Sequence, residues 1–394
     1  WSGLLPQLSY SEGQSKVKGD RRAPNSLGTI IESDLDYDTR SRSFNLRQPL
    51  INADALFRLK QSYNQADYGN AVFDVQEQEL AVRVTQASLE FLLARYGVEL
   101  ADAQLAAYRE QRVLASRRLR SGEGTRTEEA EAESRMRIAQ SQLIEAKTLL
   151  NIAAQTLNNL TGWQEPKLSA ATENYDPLPL DPPSEDAWIQ TAQERSPAIE
   201  ASRKSLAVAA DEVNRNRSGH LPRLDLVGAI SKSKNETINT LNQEYDTSSI
   251  GFQLNVPILA GGYVLAATDQ AIANREKARH ELEAQVRKTT LEVRRQFQLS
   301  QGGLEKVEAL RLAVKSAQLA VEGAQVGLKA GFRTNLDVLD SQRVMFVAKR
   351  DLAQARYAYL LSVVSLKAAA GQLTLDDIEA LDGLLHRPPK GGTL

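Results

Sequence analysis

Apolar residues recur along this chain with two different periods. In Ile250, Phe252, Leu254, Val256 and Ile258 every second residue is apolar, with Gly251, Gln253 and Asn255 between them. Period two is the signature of a strand with one greasy and one wet face. Leu224, Leu226 and Ile230 share a face with Gly228, while Arg223 and Asp225 point the other way. Phe44 and Leu46 alternate with Asn45 and Arg47, and Leu8 and Tyr10 with Gln7 and Ser9. Four strands are predicted, at about 4–17, 41–51, 221–234 and 247–259. Pro49 and Pro257 sit where strand gives way to helix, where a missing donor does least harm. The glycines of AGGYVLAA, Gly261 and Gly262, mark the same junction.

Between these segments the period lengthens. Leu80, Val84, Ala87, Phe91, Ala94, Val98, Ala101, Leu105 and Tyr108 step by fours and threes. Val307, Leu310, Val314, Ala317, Val321, Ala324 and Leu328 do the same. Such heptads predict supercoiled helices over about 53–119 and 262–329, each about 100 Å long at 1.5 Å per residue. Leu312, Leu319 and Val326 form a second stripe. Two stripes call for a neighbour on each side, as in a ring of helices. Shorter helices return over about 127–160 and 335–370, and another is predicted over about 184–217.

The order is duplicated. FNLRQPLI at Phe44 recurs as FQLNVPIL at Phe252, 208 residues on. Gly122 and Thr125 recur as Gly331 and Thr334, 209 on, and GLLPQLSY at Gly3 as GHLPRLDL at Gly219, 216 on. The first repeat covers 1–162, a Pro-rich connector 163–183, the second repeat 184–373 and a C-terminal segment and tail 374–394. The second repeat has a helix before its LPRL motif, and the first has only Trp1 and Ser2 there. By that symmetry roughly 35 residues of the mature protein are expected to precede this sequence.

Composition narrows the function. A formal net charge of −2 over 394 residues argues against a nucleic-acid partner. Without cysteine there is no disulfide framework, thiolate metal site or cysteine nucleophile. His220, His280 and His386 lack metal-ligand spacing, and no serine, histidine and acid grouping suggests catalysis. Neither an enzyme nor a cofactor is indicated. No run of about 18 apolar residues forms a transmembrane helix, though a scan of that kind is blind to barrel strands.

The helix ends carry a matched design. Gly122 and Gly331 suit left-handed C-caps. Thr125 and Thr334 suit N-caps, with Glu128 and Asp337 three residues later in capping-box position. Glu131 and Asp340 lie one turn further on the same face, with no structural need evident.

Four strands cannot close a barrel, and an open sheet with one apolar face leaves edges that lipid does not tolerate. Oligomerisation about one axis cures this; three chains give twelve strands, and a dimer with eight remains open. The duplicated order, the LPxL motif, NVPILAGG and above all GFRTNLDVLDSQR resemble the TolC family of outer-membrane exit ducts, over essentially the whole chain. The resemblance implies a mixed, mostly α fold: a homotrimer with a twelve-stranded outer-membrane β-barrel continuous with a long periplasmic α-helical barrel. It implies a periplasmic adaptor, an inner-membrane ABC transporter, an exported protein and outer-membrane lipid as partners. The GxRTxxDVLD wording sides with the type I secretion branch, exporters of alkaline protease, over the multidrug-pump branch. A helical coiled-coil scaffold is the alternative of another class, and the strand pairs speak against it.

The resemblance also assigns a pore gate. Asp337 and Asp340 match residues lining the closed tip, where a trimer stacks two rings of three carboxylates, a possible cation site. Arg333 resembles an arginine that ties the tip shut, with Glu128 as its expected partner. Glu128 and Glu131 are expected on the outer coil, and Leu328 stands where the family carries a tyrosine.

Overall fold

The computed structural model describes residues 3–24, 28–163, 180–237 and 240–379. Strands β1 (Gln7–Pro24) and β2 (Ile30–Ile51) lead into the long helix α1 (Ala53–Arg120), and α2 (Arg126–Thr161) returns. Helices α3 (Glu185–Arg195) and α4 (Pro197–Arg217) precede β3 (Arg223–Thr237) and β4 (Thr240–Asn255). Then come α5 (Tyr263–Lys329) and α6 (Asn335–Ala369). No described helix is long and apolar enough to cross a membrane.

The four strands form one antiparallel sheet in the order β1-β2-β3-β4, so each repeat contributes a hairpin and the hairpins join through β2 and β3. Register sets the faces. Leu8 opposes Leu46, Leu46 opposes Gly228, and Gly228 opposes Ile250; one row on, Tyr10 opposes Phe44, their ring centroids 4.7 Å apart. The other face carries Ser9, Asn45, Ala229 and Ser249. The apolar face is bare: Leu8 is 71%, Ile250 77% and Phe252 73% exposed. β1 and β4 are both unpaired edges in this chain.

The strands differ from expectation in length. All four run further from the helices: β1 to Pro24 and β3 to Thr237, while β2 begins at Ile30 and β4 at Thr240. The apolar alternation fades there, but cross-strand ion pairs take over, Lys16–Asp36 at 3.3 Å and Arg22–Glu32 at 2.7 Å. At the other end β4 stops at Asn255 rather than about 259, because Pro257 has no N–H to donate. Pro49 lies within β2, at a register shift against β3 between Pro49 and Ile51, a bulge that tolerates it. Gly261 and Gly262 hold positive φ of 56° and 79° immediately before α5, a turn that a side chain would strain.

The helix expected over 184–217 is two helices. Ser196 breaks it with ψ 121°, since the residue before Pro197 is pushed out of the helical region. The connector residues 164–179 and the tail from 380 on, with His386, lie outside the described residues. Before that tail, Lys367 Nζ reaches Asp377 Oδ1 at 2.6 Å, and Asp377 caps Thr374 N at 3.0 Å.

Two compact units take equivalent parts of both repeats: Trp1–Asn70 with Ala201–Glu283, and Ala71–Glu200 with Ala284–Leu394. In the first, α4 is tied to α1 by polar contacts. Asp211, only 2% exposed, accepts from Asn64 Nδ2 at 2.6 Å and pairs with Lys60 at 3.0 Å. In the second, the heptad stripes make the core. Leu92, Phe91 and Ala87 pack with Leu157, Tyr357 and Leu360; further along, Leu105 and Tyr108 pack with Ala132, Ala139 and Leu339. Each large side chain so buried contributes roughly 1.5–3 kcal/mol. Val307, Ala317, Val321 and Ala324 are buried, but the second stripe is not: Leu312 is 57%, Leu319 61% and Val326 66% exposed.

Candidate functional site

Both long helices end in the same way. Glu123 N donates to Arg118 O at 2.9 Å and Gly122 N to Leu119 O at 3.1 Å. Phe332 N donates to Gly327 O at 2.8 Å and Gly331 N to Leu328 O at 3.2 Å. These paired bonds form a Schellman cap around a left-handed glycine, with φ 78° at Gly122 and 81° at Gly331.

The returning helices start with capping boxes. Thr125 N donates to Glu128 Oε2 at 3.1 Å, and Glu128 N to Thr125 Oγ1 at 3.2 Å. Thr334 N and its hydroxyl both donate to Asp337 Oδ2, at 2.7 and 2.8 Å, and Asp337 N returns a bond to Thr334 Oγ1 at 3.2 Å. The backbone N–H of Thr334, then its hydroxyl and the nearby Arg333, hold the Asp337 carboxyl below the usual carboxylate range. A depressed folded pKa means the cap is present above the ordinary aspartate pKa. It is lost only as pH falls through the lower folded value.

The residues expected at the gate take up specific partners. Arg333 does not reach Glu128, which is occupied as a cap. Its Nη1 lies 3.9 Å from Asp337 Oδ1 in the first turn of α6. Its side chain folds over Gly327, where a Cβ would come within 2.6 Å of Arg333 Cγ. The first repeat inverts this arrangement. Gly124 stands at the position matching Arg333, Arg118 at that matching Gly327, and a Cβ on Gly124 would meet Arg118 Cβ at 3.1 Å. Each tip therefore makes room for one arginine, but from opposite sides of the turn.

Asp340 has the structural role that its sequence position did not reveal. Its Oδ1 accepts from Arg135 Nη2 at 2.8 Å, a bond from α2 of one repeat to α6 of the other. Arg343 Nε lies 3.8 Å away on the other side. Asp337 and Asp340 are thus an engaged cap and an engaged bridge within this chain. Glu131 is half-buried on α2 and makes no ion pair among the described residues. Its neighbour Glu133 carries the charge contacts instead, with Arg112 at 2.9 Å and Arg137 at 2.8 Å.

Beside the bridge lies buried Tyr108, whose hydroxyl pKa is raised by burial. Asn335, 4% exposed, leaves both amide atoms without a hydrogen bond, and the buried Gln111 and Gln342 each leave their Oε1 so. Among the described residues no cluster of three His, Cys, Asp or Glu could hold a metal.

A sheet with one bare apolar face and two open edges, joined to capped helical hairpins with charged tips, defines one subunit of an outer-membrane channel. The chain belongs to the outer membrane efflux protein family, whose profile matches residues 2–163 and 188–372. It is 37% identical to the alkaline protease secretion protein AprF of Pseudomonas aeruginosa, over 96% of this chain and 79% of that protein. It is 33% identical to the proteases secretion protein PrtF of Dickeya chrysanthemi, over 98% of this chain and 84% of the relative. The outer membrane protein TolC of Vibrio cholerae is 30% identical over 96% of this chain and 84% of its own length. Among solved structures, the CmeC outer membrane channel of Campylobacter jejuni superposes with a TM-score of 0.79 at 18% identity, covering 98% of this chain and 82% of that one.

Proposed function

We propose that the protein is the outer-membrane exit duct of a type I secretion system. Three copies close a twelve-stranded barrel, and the duct passes a protein substrate delivered by an inner-membrane ABC transporter through a periplasmic adaptor. The observation that carries the reading is the 37% identity, over nearly the whole chain, to a protein named for alkaline protease secretion. The trimer is supported by what one chain lacks. The sheet has free edges at β1 and β4, and the stripe Leu312, Leu319 and Val326 stays more than half exposed.

The gate lies at the helix tips and comprises Asp337, Asp340, Arg333, Glu128 and Glu131. Opening draws α6 away from α2 and breaks the Arg135–Asp340 bridge. Once Arg135 leaves, Asp340 keeps only the longer contact with Arg343, and three such carboxylates give the cation-attracting ring.

Deleting the gene tests the cargo class. Secreted protease activity should vanish from the medium while resistance to small toxic compounds stays within about twofold. Unchanged protease secretion, with lost drug resistance, would transfer the protein to the efflux class.

A further inference from the structure

The apolar face of the sheet ends abruptly. Passing away from the strand ends that lead into α1 and α5, the row Tyr10, Phe44, Ile230 and Ser248 is the last with apolar character. The next row on the same face is Glu12, Arg42, Lys232 and Asp246, and the one after it is Gln14, Arg40, Lys234 and Glu244. Arg42 directly opposes Lys232, and Arg40 opposes Lys234. Like charges directly opposite across a sheet destabilise it. Here four exposed cations form one block on two neighbouring strands, and acids come to it only from the flanking strands β1 and β4.

The acids sit at the sides. Glu12 on β1 accepts from Arg42 Nε at 2.9 Å and from Arg40 Nη2 at 2.8 Å; Asp246 on β4 pairs with Lys232 at 2.9 Å. Adjacent strands are about 4.8 Å apart and alternate residues about 7 Å, so the block is wide enough for more than one oxyanion. Its height matters as much as its charge. It begins one row beyond Phe44 and Ile230, where the hydrocarbon ends and headgroups begin, on the side away from the helices.

We propose that Arg40, Arg42, Lys232 and Lys234 bind the phosphates of a phosphorylated glycolipid in the outer leaflet. Arginine forks match phosphate oxygens in pairs, and the lysines add point charges. The flanking carboxylates of Glu12 and Asp246 accept hydrogen bonds from sugar hydroxyls, which a simple phosphodiester headgroup lacks. The site rests on the outer-membrane placement of the sheet and is independent of the cargo.

The test uses the full chain in phosphatidylcholine nanodiscs, titrated with lipid A, a diphosphorylated glucosamine-disaccharide lipid. Native mass spectrometry counts the bound molecules. Arg42→Gln with Lys232→Gln should weaken retention roughly thirtyfold, at about one factor of five per cation near an anionic headgroup. Arg40→Gln with Lys234→Gln should act alike, and Lys16→Gln with Lys18→Gln should leave retention unchanged. Phosphate-stripped lipid A should not be retained. Equal retention by both block variants, equal binding of the stripped lipid, or displacement by millimolar inorganic phosphate would each overturn the site. Conductance in neutral bilayers reports separately whether a variant still forms the channel: a conducting variant with undiminished lipid binding refutes the lipid site alone.

Discussion

Phe252→Arg keeps the protein out of the outer membrane, with the inserted fraction falling about thirtyfold or more. Phe252 is 73% exposed on the apolar face, opposite Leu226 and three rows from the charged block. An arginine on the lipid face near the bilayer midplane costs about 2–4 kcal/mol, and a closed barrel of several copies repeats that cost in each. Gln253→Arg, one residue along, points to the wet face and should leave insertion within about twofold. Fractionation of the outer membrane followed by immunodetection measures both. Equal loss in the two variants would mean the arginine acts by disrupting strand pairing, and the assignment of faces would fail.

Arg135→Glu opens the tip. It removes the guanidinium from which Asp340 accepts a charge-assisted bond at 2.8 Å and leaves a like charge on the same helix face. Both side chains keep some solvent, at 24% and 47% exposure, so the lost attraction is the modest one of a partly exposed pair. Loss and repulsion together come to about 1 kcal/mol per copy, and copies that must part together multiply the effect. Open probability in planar bilayers should rise roughly tenfold or more. Adding Asp340→Arg to the same chain restores an opposite-charge pair and should reverse part of the rise; the reversal is partial because Arg343 sits beside the new arginine. An Arg135→Glu channel that conducts like the unaltered protein would remove the bridge from the gate.

Much of this architecture could be read from residue order. The capping boxes at Thr125 and Thr334 followed from a threonine and an acid three residues apart, because a helix start has few ways to satisfy its own N–H groups. The four strands showed wherever one face was apolar. Their outer halves did not, because exposed pairs such as Arg22 and Glu32 line them with charge and leave no hydrophobic period to detect. The break at Pro197 was present in the sequence and lost beneath a strong helical pattern on either side.

The site was legible only where its chemistry was local. Asp337 caps a residue three positions away, whereas Asp340 meets Arg135 across 205 residues. No spacing rule connects two helices whose register is set by packing. A weak signal did exist: Arg135 lies between Ala132 and Ala139, both buried, on a helix face turned inward. A base on such a face asks for an acid. The exchange of arginine and glycine between the two tips, Arg118 with Gly124 and Gly327 with Arg333, was likewise visible by aligning the repeats. Its meaning needed the contact distances.

One chain forms only part of a wall, and copies of it complete the duct. Native mass spectrometry of the detergent-extracted protein, paired with conductance in a planar lipid film, puts that to the most direct test. Three copies per particle and discrete ion-conducting steps are the predicted result. A monodisperse single copy that leaves the film silent would contradict it.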